Sequence, residues 1–212
     1  MTDDWYFLQC NFPKWLTTYR GNQFMEESRS ELRLMLRERR RNLTKEHQLA
    51  ASTRLVDCLK QQHDLFNAEY FALYLASDGE INPVMLQQYL WQLGKSCYLP
   101  VVKNKVMLFA PYTQSTKLVI NRFGIPEPLV ERDEFIAPEN LDVVFMPLTG
   151  FDLSGARLGM GGGFYDRTFE QTGERTRLIG LAHECQMVEK IPIEEWDVPL
   201  TGVVTDRAYH AF

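Results

Sequence analysis

The order of apolar and polar positions divides the chain into short, alternating elements. Ser28-Arg29-Ser30-Glu31 has the spacing of a capping box, in which a Ser hydroxyl and a Glu carboxylate satisfy the free N–H groups at a helix start. Leu32 and Leu36 follow one turn apart, with Met35 beside them, so an amphipathic helix is expected from residue 29. Thr44 caps a second predicted helix carrying Leu49, Val56 and Leu59 at near-helical spacing. The pattern then changes: residues 70–75 are an unbroken aromatic and apolar run, the mark of a buried strand. Ser77, Asp78, Gly79 and Glu80 read as a turn. Asn82 and Pro83 read as the N-cap and first residue of a helix that Gly94 closes. With a strand at 97–102, residues 70–102 form one predicted β-α-β unit. Further strands are expected at 107–110, 143–146, 178–182 and 203–204, with a loop-rich stretch over 121–140 marked by Gly124, Pro126, Pro128 and Pro138. Strands alternating with helices predict an α/β fold with a largely parallel sheet in a single domain.

Residues 1–28 stand apart. They mix aromatics (Trp5, Tyr6, Phe7, Phe12, Trp15, Tyr19, Phe24) with Pro13 and Gly21 and show no period. They are expected to form an arm that packs loosely or is partly disordered, or to lie upstream of the true start. The domain is expected over 29–212.

Composition adds bounds rather than an answer. A chain of 212 residues with 45% hydrophobic and 24% charged residues is of ordinary globular make-up and long enough to bury its own core. Its net charge of −5 argues against a dedicated nucleic-acid binder, yet says nothing of small anions, because net charge averages over every local patch. Four scattered cysteines (10, 58, 97, 185) fit no zinc motif and read as reduced, mostly buried thiols. There is no apolar run of membrane-spanning length and no secretory leader, so a cytoplasmic protein is expected.

The chemistry concentrates in Arg157-Leu158-Gly159-Met160-Gly161-Gly162-Gly163-Phe164-Tyr165-Asp166. Four glycines within five positions, read as following a strand and preceding a helix, let the backbone approach an anion and line it with N–H groups. Phosphate binding is weighed here against a Gly-rich turn that only bends the chain. The loop is not a Walker A sequence, since no Gly-Lys-Ser/Thr ends it, and it does not match the dinucleotide fingerprint. Asp166 suits Mg²⁺ carried by a nucleotide, or simply compensates charge at a helix start. A second basic feature lies at 29–41, where six arginines face two glutamates, and Arg29, Arg33 and Arg37 share one helix side. That side could hold a polyphosphate, although most of these arginines are expected to be solvated. His183 is expected to be a satisfied histidine at a strand edge, and Trp196 to cover the sheet end. Phe164 either stacks on a ligand or packs in the core.

These blocks, with Ser77-Asp-Gly-Glu-Ile-Asn82, Gly94-Lys95, Tyr98-Leu-Pro100, Gly124-Ile-Pro-Glu-Pro128, Met146-Pro147, Gly150-Phe151-Asp152, Glu195-Trp-Asp197 and Val203-Val-Thr205, run in the order found in one family. From about residue 29 to 206 the chain resembles 5-formyltetrahydrofolate cyclo-ligase, also called methenyltetrahydrofolate synthetase. The resemblance implies a three-layer sandwich of the sugar-phosphate isomerase and CoA-transferase type. It also implies ATP- and Mg²⁺-dependent closure of 5-formyltetrahydrofolate to 5,10-methenyltetrahydrofolate with release of ADP and phosphate. Arg29, Ser30, Glu31, Leu32 and Arg33, with Arg157, Leu158, Gly159, Met160, Gly161, Gly162, Gly163, Phe164 and Tyr165, match positions that bind ATP. Ser77, Glu80, Asn82 and Met160 to Phe164 fall at folate-contacting positions. Asp166 and Asp197 match metal positions, and Arg157 and Tyr165 are the expected catalytic pair. Three departures are visible: Arg29 stands where the family often has Lys, Gly162 where many members carry Lys, and Asn82 where Asp or Glu is usual. The partners implied are a reduced folate and ATP, with no nucleic acid or membrane, and the protein is expected to be a monomer. The alternatives are a sugar-phosphate isomerase on the same scaffold and a non-catalytic nucleotide- or folate-binding protein.

Overall fold

The computed structural model describes residues 28–103, 105–121, 124–131, 134–170, 172 and 175–212. The arm expected over 1–28 lies outside the described residues except for Ser28, which caps the first helix, α1 (Arg29–Arg41). Both halves of the capping box form: the Ser28 side chain accepts from the Glu31 N–H, and the Glu31 carboxylate accepts from the Ser28 N–H at 3.0 Å. Thr44 likewise caps α2 (Lys45–Lys60) by accepting from the His47 N–H.

The predicted β-α-β unit consists of β1 (Tyr70–Ala72), α3 (Val84–Gln92) and β2 (Ser96–Lys103), with β1 and β2 pairing in parallel. The helix starts one residue later than expected. Pro83 holds the cap position, and Asn82, one residue earlier, accepts the Val84 N–H with its Oδ1 at 3.0 Å. The chain then turns back through β3 (Val106–Pro111), antiparallel to β2. A small hairpin pairs β4 (Leu118–Ile120), just before the stretch expected to be loop, with β5 (Pro126–Pro128) inside it. The centre of the sheet is completed by β6 (Val143–Pro147), then β9 (Arg177–Leu181) and β10 (Gly202–Val204), with β11 (Tyr209–Ala211) at the far edge. The strand order is β11-β10-β9-β6-β1-β2-β3, parallel except for the two edge pairs, as the alternation of elements predicted.

The period of two sorts the strands' side chains between two faces. Val143, Phe145, Ile179 and Leu181 point to one side, where Leu55 and Leu59 of α2 and Leu86 and Leu90 of α3 cover them. Val144, Met146, Leu178 and Val203 point to the other, against Phe151 and Phe169. Phe169 ends the short helix α4 (Phe164–Phe169). Phe151 belongs to a two-stranded ribbon, β7 (Gly150–Phe151) with β8 (Arg157–Leu158). The buried carboxylate of Asp152 organises that ribbon by accepting from the Ser154 and Ile191 N–H groups, both at 2.8 Å. Helix α1 rests on the ribbon, where Leu32 and Leu36 pack with Leu158 and Ile191. Gly150 permits this close packing, since a Cβ would come within 2.4 Å of the Leu36 side chain and force it to shift.

One expectation about local structure needs correction. The glycine loop does not leave a strand of the main sheet, because the β7–β8 ribbon intervenes between β6 and the loop. The loop leaves β8 and enters a helix of only six residues. A helix this short adds little macrodipole. Any anion there must depend on the loop N–H groups and neighbouring cations.

Candidate functional site: an arginine helix against a glycine loop

The connections leaving the carboxyl ends of β1, β6 and β9 meet α1, through Asp78, Leu148 and Cys185, at the usual ligand edge of a parallel sheet. The glycine loop adopts the left-handed conformations its composition permits, with φ of +92° at Gly161 and +61° at Gly163. Alongside it, Arg33 of α1 donates from Nε to the Gly159 carbonyl at 2.9 Å. The guanidinium also lies 3.7 Å from where a Gly161 Cβ would stand. The arginine face and the glycine loop, chosen from the sequence on separate grounds, are therefore in contact.

Two ion pairs flank this contact. Arg29 binds Asp197, also donating to the Pro192 carbonyl at 3.0 Å. Arg157 binds Asp166, and its Nε reaches the Val198 carbonyl at 3.2 Å. The pairs feel one another. The hydrogen bond that Arg29 donates to Asp197, with the charges of Asp197, Glu194 and Asp166, raises the Arg29 pKa above its ordinary value. Burial would raise Asp197, but the Arg29 hydrogen bond, helped by the Arg157 charge, holds it below the usual carboxylate range. Arg33 is different. Among the described residues it forms no ion pair, and burial together with the Arg29 charge depresses its pKa. Its hydrogen-bond partner is a carbonyl rather than a carboxylate, and the Arg29 charge beside it outweighs that of Asp197.

The neighbouring loop supplies the other predicted residues. Glu80 accepts from the Ser77 N–H at 3.0 Å and from its hydroxyl at 3.4 Å. Burial pushes the Glu80 carboxyl up. Burial also pushes the Tyr165 phenol up, and the nearby Glu80 charge adds to it, so these groups share one electrostatic environment. The structure thus brings Arg29, Arg33, Arg157, the loop, Asp166 and Asp197 into one cluster, with Tyr165 and Glu80 adjoining. Other predicted residues point elsewhere. Glu31 is turned back into the capping box, the Ser30 hydroxyl contacts Ser28, and Leu32 and Leu158 are buried. Asn82 is exposed and engaged in capping. Phe164 is half-buried against the core, with Arg167 5.2 Å above its ring. A Cβ at Gly162 would crowd that ring at 3.0 Å, so a larger residue there would require Phe164 to move.

Four residues defeat the sequence reading. Arg40 is wholly buried, although most arginines of this run were expected to be solvated. Asp78, read only as part of a turn, binds Arg37, Arg40 and Arg41 together. The one available signal was the i, i+4, i+8 stripe Leu32-Leu36-Arg40, which places Arg40 on the apolar side of α1. His183 is buried, and neither ring nitrogen makes a hydrogen bond of good geometry among the described residues. Trp196 is 63% exposed and covers no sheet end. The cysteines were expected to be mostly buried, but of the three described only Cys97 is, with Cys58 and Cys185 half-buried, and Cys10 lies outside the described residues. Burial pushes the Cys97 thiol up to about 12, which leaves it unreactive.

The 5-formyltetrahydrofolate cyclo-ligase family profile matches residues 25–206. The chain belongs to the 5-formyltetrahydrofolate cyclo-ligase family. It is 42% identical over 175 residues to the 5-formyltetrahydrofolate cyclo-ligase of Escherichia coli, a match covering 81% of this chain and 96% of that one. The Haemophilus influenzae enzyme of the same name is 38% identical over 182 residues, covering 84% and 97%. In three dimensions the chain superposes on the NMR structure of Aquifex aeolicus 5,10-methenyltetrahydrofolate synthetase with a TM-score of 0.76 at 30% identity, covering 86% of this chain and 92% of that one. All described elements except β11 lie within the family match. Among the described residues, no helix is long and apolar enough to cross a membrane.

Proposed function

We propose that the protein catalyses ATP-dependent cyclisation of 5-formyltetrahydrofolate to 5,10-methenyltetrahydrofolate, with ADP and phosphate as co-products. The observation that carries this reading is Arg33: a guanidinium with no ion pair among the described residues, donating to a carbonyl of a loop in which Gly161 and Gly163 take positive φ. A triphosphate would give that cation the counter-charge its surroundings withhold. Arg29 and Arg157 stand on either side, ready to exchange their carboxylates for phosphate oxygens. Arginine suits the task because its planar fork can hold two oxygens at once.

Binding aligns the γ-phosphate with the formyl oxygen of the folate. That oxygen attacks phosphorus and ADP leaves. N10 then attacks the activated carbon, loses its proton, and phosphate departs with the former formyl oxygen. The protein's contribution is positioning and stabilisation of negative charge on the transferred group. Arg33 and Arg157 supply the charge, and the loop N–H groups supply direction. Glu80 suits acceptance of the N10 proton, since its raised pKa brings it nearer neutrality than an exposed carboxylate. Tyr165, still protonated at neutral pH, donates a hydrogen bond near the formyl group.

The residues present fit Mg²⁺. Asp166 and Asp197 are hard oxygen donors flanking the loop, and no group of three or more metal-ligating side chains occurs among the described residues. That donor set suits an ion arriving with nucleotide phosphates better than a resident ion. Asp166 and Asp197 would hold Mg²⁺ when it arrives with the nucleotide, and the ion would supply charge compensation for the transferred group. Both ligand regions are built from one chain, so a monomer suffices. The test is to incubate pure protein with 5-formyltetrahydrofolate and MgATP, following methenyl absorbance and ADP together. One ADP per methenyl product is expected. Tight binding of both ligands with neither product would overturn the reading in favour of a non-catalytic binding protein, and ATP-independent turnover of a phosphosugar would favour an isomerase.

A further inference from the structure

We propose that the Arg40–Asp78 pair is a positioning device that couples the ATP side of the site to the folate side, so that each ligand binds more tightly when the other is present. The inference rests on the functional reading above and deepens it by assigning two residues to which that reading gave no part.

Arg40 is a buried junction. Its Nε donates to the Asp78 carbonyl and its Nη2 to the Asp78 carboxylate, both at 2.8 Å. Its Nη1 donates to the Leu148 carbonyl at 3.0 Å, just beyond β6. Nη2 also lies 3.7 Å from the Met160 sulfur in the glycine loop and 3.7 Å from the Glu80 carboxylate. One guanidinium therefore touches α1's own partner loop, the end of a central strand and the phosphate loop. Backbone contact reinforces the junction. Gly79, at φ +74°, lies so close to α1 that a Cβ would meet the Arg40 carbonyl oxygen at 3.1 Å and the Arg41 Cα at 3.3 Å. Asp78 holds φ +52°, a conformation that costs a non-glycine residue energy and is maintained here by ion pairs to Arg37, Arg40 and Arg41.

The consequence concerns both ligands. The same helix carries Arg29 and Arg33 at one end and grips the Ser77–Glu80 loop at the other. Drawing the first turns of α1 onto a triphosphate fixes the loop that carries Ser77 and Glu80, and seating a folate on that loop fixes α1. Whichever ligand binds second meets a site already ordered, and the coupling is reciprocal by linkage. Arg40 and Asp78 need touch neither ligand, which makes them positioning residues.

The experiment measures the Kd of a non-hydrolysable β,γ-imido analogue of ATP with Mg²⁺, and of 5-formyltetrahydrofolate, each alone and at saturation of the other. In the wild type each ligand should tighten the other by about tenfold. In Asp78→Asn, where Asn tolerates the left-handed conformation, that factor should fall to near one, with each single-ligand Kd within about threefold of wild type. A retained factor in the variant, or equal weakening of all four constants, would overturn the coupling. So would a wild type that binds both ligands independently, and in that case the functional reading would still stand. A wild type that binds neither ligand would overturn both. Should circular dichroism show Asp78→Asn unfolded, Arg41→Gln takes its place, since it removes a half-exposed link of the same cluster. A partial loss of synergy is then expected, and an unchanged factor would count against the proposal.

Discussion

The two halves of α1 use the same residue for opposite ends. Toward its start, Arg29 is paired with Asp197, while Arg33 donates to the Gly159 carbonyl of the glycine loop and forms no ion pair among the described residues. Toward its end, Arg37, Arg40 and Arg41 crowd a single carboxylate, and Arg40 is sealed from solvent. In the first half Arg33 keeps its positive charge available to a ligand at the expense of its own electrostatics. The second ties three arginines to one carboxylate inside the fold and thereby anchors the helix. Charge that is satisfied in the folded protein stabilises it, whereas charge held in a like-signed field is poised to bind.

The sharpest way to break this contrast is to truncate one arginine from each half. Arg40→Ala removes a buried, fully hydrogen-bonded cation and should cost about 3–5 kcal/mol in denaturant unfolding. Arg33→Ala should stay within about 1 kcal/mol of wild type. Equal losses would dissolve the distinction.

His183 probes the same anchored region, since it packs within reach of the Gly79 backbone, Arg40 and Asp206. Burial, opposed by Asp206 and Gly79, pushes its pKa from 6.5 down to about 4. The ring is therefore neutral in the folded state and charges readily only when unfolded. Stability should be complete above about pH 6.5 and fall as pH drops toward about 4, by on the order of 3 kcal/mol in all. Urea titrations across that window should show the slope in the wild type and lose it in His183→Asn. A flat wild-type profile would contradict the buried, neutral ring.

On the binding half, Arg33→Gln should lower kcat/KM for ATP by about 100-fold while leaving the melting temperature nearly unchanged. Arg37→Gln should move that ratio far less. The smallest expected effect is a second acid transition. Burial tends to raise Asp78, but hydrogen bonds from Arg37, Arg41 and Arg40 bring it from 3.8 to about 2. Its contribution is present above about pH 4, amounts to about 2 kcal/mol, and is lost as pH falls toward about 2. Asp78→Asn should abolish that last step and leave the His183 window in place.

How legible this was in the sequence depended on the physics of each feature. The capping box at Ser28, the β-α-β unit and the strand at 143–147 declare themselves through local hydrogen bonding and apolar period, so their places were readable. The contact between Arg33 and the glycine loop was readable only as two separate phosphate-suited features, because a separation of 126 residues carries no local signal. The β7–β8 ribbon was missed because its strands are two residues long, too short for any period to show. Arg40 was misjudged because composition places arginine outside, and only its later contact with Asp78 and Leu148 makes burial tolerable. Trp196 was expected to cover the sheet end on apolar character alone, which does not specify a partner.

A crystal of the protein grown with Mg²⁺ and the β,γ-imido ATP analogue tests the central claim most directly. The account predicts the triphosphate between Arg33 and the loop at 159–163, with Arg29 and Arg157 turned from Asp197 and Asp166 onto phosphate oxygens. A triphosphate bound elsewhere, with Arg33 still bonded to Gly159 and both ion pairs intact, would contradict it.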